Sequence, residues 1–405
     1  MSLALRSSAL LLIAAMAAST AGNDADELLQ KARVRALDST HRLPRYTCVE
    51  NISRAQYMPA PNSPSTCPAL ITTHRLADSR GQLATRDRLR LDVAVVGNGE
   101  IFSWAGAGKF ETPDIDKLVG GGVSGSGDFG SFLASVFGNA PDLVRYLGLR
   151  NDAAYFEYNV PRAKSSYTYR SNLKDPPKII AYHGSFLVDP SDADLQQLVV
   201  EADEFEPRDP ACRVRHTMNY QRVKIGDGDF LLPEVSTMKA LYHNGSESEN
   251  ETRYSDCREY VGESIIRFDD VDTSAATAAA SKAAAQPLSP KTRLQISLSK
   301  PIDTELAAAG DEVTGVCTVG HENDRVHGRI LRLAQFLIPA PRWAMAIRFD
   351  SIERGGVTQP LSLRQIDNKK PSPFADLPAD AGVFIFEGRG YPVLDQHFRS
   401  AWETR

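Results

Sequence analysis

Gly125-Ser126-Gly127-Asp128-Phe129-Gly130 comes nearest to a phosphate-binding loop, since it reads literally as G-x-G-x-x-G. Such a loop cradles a dinucleotide when a parallel strand leads into it and a long helix follows. Here a glycine run leads in, the surrounding strands have the antiparallel pattern, and no Gly-Lys-Ser/Thr follows to make a P-loop. The stretch is therefore expected to be a glycine hinge that swings a short apolar segment, residues 129–137, over a sheet.

Other residue types able to do chemistry are dispersed. The eight histidines are scattered; only His321 and His327, with Glu322 and Asp324 between them, have spacing suited to a metal, and their polar loop is expected to be solvated. There is no G-x-S-x-G elbow and no H-E-x-x-H. Asp269 and Asp270 read as surface charge at a domain edge. No catalytic residue, metal or cofactor is expected. Two carboxylates flanking a cleft leave no signature of their own, so a secreted hydrolase stays open as a second alternative.

Of the five cysteines, none forms a C-x-x-C pair. Cys48 and Cys67, joined by a loop containing Pro59, Pro61 and Pro64, are the simplest disulfide, and elimination then pairs Cys212 with Cys257 and leaves Cys317 over. Strand register opposes the second pair. A turn near Asp227 sets Cys212 opposite a residue near Leu241, and a turn near Gly245 sets Cys257 opposite one near Pro233. Those levels lie about 26 Å apart at roughly 3.3 Å per residue, whereas a disulfide needs Cα atoms within about 7 Å.

The elements that must position these residues begin after a leader. Arg6 is the only charge before an uncharged run from Ser7 to Gly22, followed by Asp24, Asp26 and Glu27. A positive start, a short apolar core and small residues are the secretory pattern, so residues 1–21 are expected to be a signal peptide and the mature protein periplasmic or secreted. No later apolar run reaches the roughly 18 residues of a membrane helix. The net charge of −5 carries no basic block for nucleic acid.

Residues 23–36 read as a helix with Leu28, Leu29, Ala32, Val34 and Ala36 on its apolar side. Strands follow over 46–57, 86–96 and 100–104. In the second of these, Leu89, Leu91, Val93 and Val95 alternate with Arg88, Arg90 and Asp92. After the interruption at 116–139 come strands over 153–160, 165–170, 179–188 and 195–203, then a meander over 213–225, 230–242 and 252–268. The expected class is mainly β with minor α: a large curved antiparallel sheet, an open half-barrel with a helical lid, over 22–268. An Ala/Ser/Pro-rich linker at 269–291 leads to a small C-terminal β-domain over 292–405.

Aromatic residues crowd three successive strands: Tyr155, Phe156, Tyr158, Tyr167, Tyr169, Tyr182 and Phe186. They form either a closed core or the wall of a cavity. The cavity reading places Leu89, Leu91, Val93, Tyr155, Tyr158, Tyr167 and Tyr169 against a lid of Phe129, Phe132, Leu133, Val136 and Phe137.

The segments YHGSFLVDPSDADLQQLVVEAD and DFLLPEVSTMKALYHNGSESENETRYSDCREY give the chain a resemblance, over residues 24–268, to the lipoprotein carriers of the bacterial envelope and the related sigma-factor regulator sensors. RLRLDVAVVGNGEIFSW and GDFGSFLASVFG resemble uncharacterised exported proteins of soil bacteria, and the tail resembles small β-domains of secretion and envelope-assembly proteins. The resemblance implies an open half-barrel that holds a hydrophobic or acylated ligand on its concave face without catalysis. The expectation is a non-enzymatic periplasmic carrier. The alternative is a structural or assembly component of the envelope that docks a protein partner through its C-terminal domain.

Overall fold

Strand β1 (Tyr46–Tyr57) shows how the sheet is specified. Tyr46, Cys48, Glu50, Ile52 and Arg54 alternate inward and are buried, while the residues between them are more open from Val49 onward. The strand lies between two others, so that Ile52 faces Thr252 on one side and Leu89 on the other. In the computed structural model the described residues are 24–38, 45–76, 81–96, 99–120, 124–139, 143–171, 175–260, 288–319, 322–367, 371–375 and 377–405. The expected leader and nearly all of the expected linker lie outside them.

The first unit opens with helix α1 (residues 24–38), followed by β1, helix α2 (Cys67–Leu76), β2 (Leu83–Val96) and β3 (Gly99–Trp104). Helices α3 (Ile115–Val119) and α4 (Ser131–Leu133, continued as a π-helical turn Ala134–Asn139) come next. Then follow β4 (Val144–Arg150), β5 (Ala153–Val160), β6 (Thr168–Tyr169), β7 (Lys178–Ile179), β8 (Tyr182–Val188), β9 (Leu195–Ala202), β10 (Ala211–Ile225), β11 (Gly228–Tyr242) and β12 (Glu247–Glu259). Ten of these strands form one antiparallel run in the order β4-β5-β8-β9-β10-β11-β12-β1-β2-β3. The ends do not pair, and the sheet is not closed into a barrel.

The mainly β class, with one large antiparallel sheet and few helices, is as the alternation implied. Strands β2, β3, β10 and β11 fall where expected, whereas β12 starts at Glu247, five residues before the expected 252, and residues 261–268 of the expected strand lie outside the described residues. Three other local features differ. The strand expected at 165–170 shrinks to β6, which pairs only with β7 as a separate ribbon. The exposed edge strand β4 and helix α2 carried too little apolar periodicity to be read.

The cores lie on the concave side. One gathers α1, α4 and strands β5, β8, β9 and β10 around Phe156, Phe186 and Leu198. A second gathers β1, β2 and β3 with α3 and Phe129.

The second unit contains β13 (Arg293–Leu298), β14 (Ile302–Asp303), β15 (Glu312–Val319), β16 (Glu322–Phe336), β17 (Arg342–Arg354), β18 (Val357–Pro360), β19 (Leu363–Gln365), β20 (Gly382–Glu387), β21 (Val393–Leu394) and β22 (Arg399–Thr404). Its sheet runs β19-β22-β13-β15-β16-β17, with β18 and β20 sharing the far edge of β17. Trp402, Phe349, Met345 and Leu363 fill its own core.

The two units share a strand edge. Strand β3 leaves β2 opposite Leu91, and β15 leaves β16 opposite Arg329. The freed edges then pair, Thr85–Asp87 of β2 with 334–336 of β16. Ala309 fills the corner: its N–H donates to the Arg88 carbonyl at 2.9 Å, and its carbonyl accepts from the Arg90 N–H at 2.7 Å. The polar face of β2 is thereby partly covered. Arg86 donates to Gln335 and Tyr391, Arg88 to the Thr304 and Glu305 carbonyls, and Arg90 to Asp311.

Both expected disulfides are corrected. Cys48 bonds Cys257, with Cα atoms 4.1 Å apart, and Cys67 bonds Cys212, with Cα atoms 5.2 Å apart. Strand β12 returns to pair with β1, which brings Cys257 to the level of Cys48 at a register shift between Thr47 and Val49. Helix α2 begins at Cys67 and packs through Leu70 against Cys212 and Leu241. The register argument against Cys212–Cys257 was sound, since Arg213 does face Leu241. Counting failed because it ignored strands that pair across the whole unit. Cys317 is free and buried.

Candidate functional site

The concave face is built by alternation on four adjacent strands. Val214, His216, Met218 and Tyr220 of β10 point inward, and His216 lies opposite Met238 of β11. Met238 lies opposite Asn250 of β12, and Tyr254 of β12 lies opposite Glu50 of β1. The glycine loop, α4 and its π-turn fold down on this face. Phe129 wedges between Tyr46 and Tyr254 with ring centroids 5.8 and 4.8 Å away. Phe132 meets Tyr167 and His216, and Phe137 meets Phe186. Ser135 accepts a 2.6 Å hydrogen bond from the Tyr182 hydroxyl.

The docked segment leaves a groove of about 1090 Å³ beside it. Phe132, Tyr167, Tyr169, Val214, Met238 and Tyr242 supply its apolar wall, and Asp114, Asp116 and Arg170 form part of its rim. Arg170 donates to Asp114 at 3.0 and 3.2 Å and to Asp116 at 3.2 Å. The Arg170 guanidinium holds the Asp114 carboxyl below its usual value, while burial and the neighbouring Asp114 charge push Asp116 up.

At its inner end the groove meets a pocket of about 30 Å³ bordered by Glu50, Glu100 and Asp128. Asp128 accepts from the Tyr254 hydroxyl at 2.5 Å through Oδ2. His216 Nε2 is 2.8 Å from Ser236 Oγ and 3.3 Å from Asp128 Oδ1. Only the serine has hydrogen-bond geometry, so Oδ1 is left buried without a hydrogen bond. Glu50 has no hydrogen-bond or ion-pair partner among the described residues. Burial, and then the charges of Glu100 and Asp128, hold Glu50 well above the usual carboxylate range. Glu100 is partly buried and borders the pocket. Burial and Asp128 push it up to about 7, against the opposing pull of the Gly127 and Phe129 N–H groups.

Ser236, His216 and Asp128 superficially form a hydrolytic triad. In a working triad the serine and the carboxylate address opposite ring nitrogens, so that the imidazole takes the hydroxyl proton on one while the other is held. Here both lie against Nε2.

Of the residues expected to line a cavity, Tyr167, Tyr169 and Phe132 border the groove, and Leu89 borders the inner pocket. Leu91, Val93 and Phe129 are packed with β1 and α3, while Leu133, Val136, Phe137 and Tyr158 are packed with β5, β8 and β9. Tyr155 lies on the other face of β5, where the Arg150 guanidinium covers its ring at 3.7 Å. The aromatic cluster is thus divided between a closed core and a groove wall. His321 is outside the described residues, and His327 lies 4.0 Å from Glu353.

Glu50, Glu100, Asp128, His216 and Ser236 were missed. Their signal was present: Glu50 occupies an inward position between Cys48 and Ile52, and His216 one between Val214 and Met218. A charged residue in an apolar register marks either a site or a cost. Among the described residues, no helix is long and apolar enough to cross a membrane. Comparison of the chain with protein-family models, with curated proteins and with solved structures finds no match.

Proposed function

We propose that this protein is a non-enzymatic, exported binding protein that carries a hydrophobic or acylated ligand in the groove beside the docked segment. The observation that carries this reading is the groove itself. At about 1090 Å³ it is just above the range for small-molecule sites, roughly 300–1,000 Å³. Its lining combines aromatic and aliphatic side chains such as Phe132, Tyr167, Val214 and Met238 with polar ones such as Ser131, Ser166, Thr168 and Arg170, a mixture suited to an amphiphile. Two disulfides are compatible with an oxidising compartment.

The groove is walled by a fixed scaffold. Disulfide Cys48–Cys257 ties β1 to β12, and Cys67–Cys212 ties α2 to β10. The second unit pairs with the chain's own β2.

Titration with a neutral acyl fluorophore tests the proposal. One molecule should bind per chain, and Met238→Asp should weaken binding about tenfold or more by placing a charge in the apolar wall. Unchanged binding by a folded Met238→Asp protein would overturn it.

A further inference from the structure

The groove and the acidic pocket at its inner end share Ile115, Ser124, Gly125, Ser126, His216 and Met238 as walls. The two cavities are therefore adjacent, and Glu50, Glu100 and Asp128 lie just across these shared side chains from a ligand in the groove. Two cationic side chains also border the pocket: Arg54, which forms two bonds with Asp87 at 2.8 and 2.6 Å, and His216, whose Nε2 is hydrogen-bonded to Ser236 and lies 3.3 Å from Asp128 Oδ1. Asp128 is only 6% exposed, and its Oδ1 lies in the pocket with no hydrogen bond. Glu50 is 5% exposed and also lacks a partner among the described residues. Buried carboxylate oxygens left without donors are costly and are ordinarily satisfied by water, an ion or a ligand.

We propose that this pocket receives the primary ammonium of an amphiphilic ligand whose apolar part lies in the groove, an assignment that rests on the groove being the ligand site. A volume of about 30 Å³ has room for one or two water-sized groups. An ammonium fits that space and a trimethylammonium does not. Its three N–H donors can each address a carboxyl oxygen of Glu50, Glu100 or Asp128. A fatty-acid carboxylate would bring a further acidic group against Glu50, Glu100 and Asp128 and is rejected. Burial, and then the neighbouring carboxylate charges, push Glu50 and Glu100 up; an entering cation opposes both effects, so binding of the amine should release protons to the buffer.

The test compares hexadecylamine, hexadecanol, palmitate and hexadecyltrimethylammonium below their aggregation limits at pH 7, on the full chain. Hexadecylamine should bind about tenfold tighter than hexadecanol, with palmitate and the trimethylammonium compound weaker than the amine. Glu50→Gln should erase most of the amine's advantage while leaving hexadecanol affinity within about twofold. Asp128→Asn provides the same reading should Glu50→Gln fail to fold. Lysophosphatidylethanolamine separates the sources of the amine: affinity equal to hexadecylamine assigns a lipid head group, and loss of affinity assigns a simple amine.

Equal binding of amine and alcohol, or an amine advantage that survives both substitutions, overturns the ammonium site and leaves the groove intact. Failure of every probe, hexadecanol included, overturns the groove as well.

Discussion

Glu100 holds Gly127 from beneath: its two carboxylate oxygens lie 3.0 and 2.9 Å from the Gly127 N–H, which donates to both. The Phe129 N–H donates to the same carboxylate at 3.3 Å. A glycine loop that composition marks as a free hinge is thus tied to β3, and Phe129 just beyond it is 3% exposed. Amide hydrogen exchange at Gly127 and Phe129 should be slow. Glu100→Gln should speed it by about tenfold or more, because hydrogen bonds to charged groups contribute about 1.5–3 kcal/mol. Fast exchange in the unmodified protein would show that the loop is not held.

The same carboxylates set a pH dependence. Glu50 and Glu100 have folded-state values above the ordinary 4.5, well above for Glu50 and about 7 for Glu100. The folded state therefore binds their protons more tightly than the unfolded chain does. Their contribution is complete below pH 4.5; that of Glu100 is lost as pH rises through about 7, and that of Glu50 as pH rises through its own raised value. Asp114, Asp194 and Asp209 are shifted the other way, and their stabilisation is lost only as pH falls through the acid range. Between pH 5 and 8 the melting temperature should fall. The double substitution Glu50→Gln, Glu100→Gln should flatten that slope.

Gly310 sits where the two units join, with φ of 105° and its missing Cβ 2.1 Å from the Arg90 carbonyl oxygen. Gly310→Ala should cost about 2 kcal/mol or more through backbone strain and this clash. The loss should be localised: protection of the Ala309 and Arg90 amides falls while the core around Phe186 is unaffected. Uniform loss across both units would mean that they unfold as one body.

Phe137 is 2% exposed and packs on Phe186 with ring centroids 5.0 Å apart. Phe137→Ala should destabilise the fold by about 3–5 kcal/mol. Groove binding of a neutral acyl probe should persist at temperatures where the variant is folded. Loss of binding without loss of stability would move the ligand into the aromatic core.

The fold was legible where one face alternated cleanly, as in Leu89, Leu91 and Val93 or in the meander that set Arg213 opposite Leu241. It was illegible where the determining contact lay far along the chain. The pairing of β1 with β12, which decides the Cys48–Cys257 bond, joins residues 209 apart. The site was legible in its apolar half and hidden in its polar half. Glu50, Asp128 and His216 lie on separate elements and converge only when the glycine loop folds down. Tyr155 and Tyr158 were grouped by proximity in sequence, yet their odd spacing of three places them on opposite faces of β5.

Photo-crosslinking with a diazirine-bearing acyl probe, followed by peptide mapping, separates the cavities most directly. If the groove binds the ligand, label falls on Phe132, Tyr167, Met238 and Tyr242. Label confined to the cleft between α1 and β4, which includes Val34, Tyr146 and Leu149, would contradict it, as would label confined to the junction around Trp343 and Tyr391.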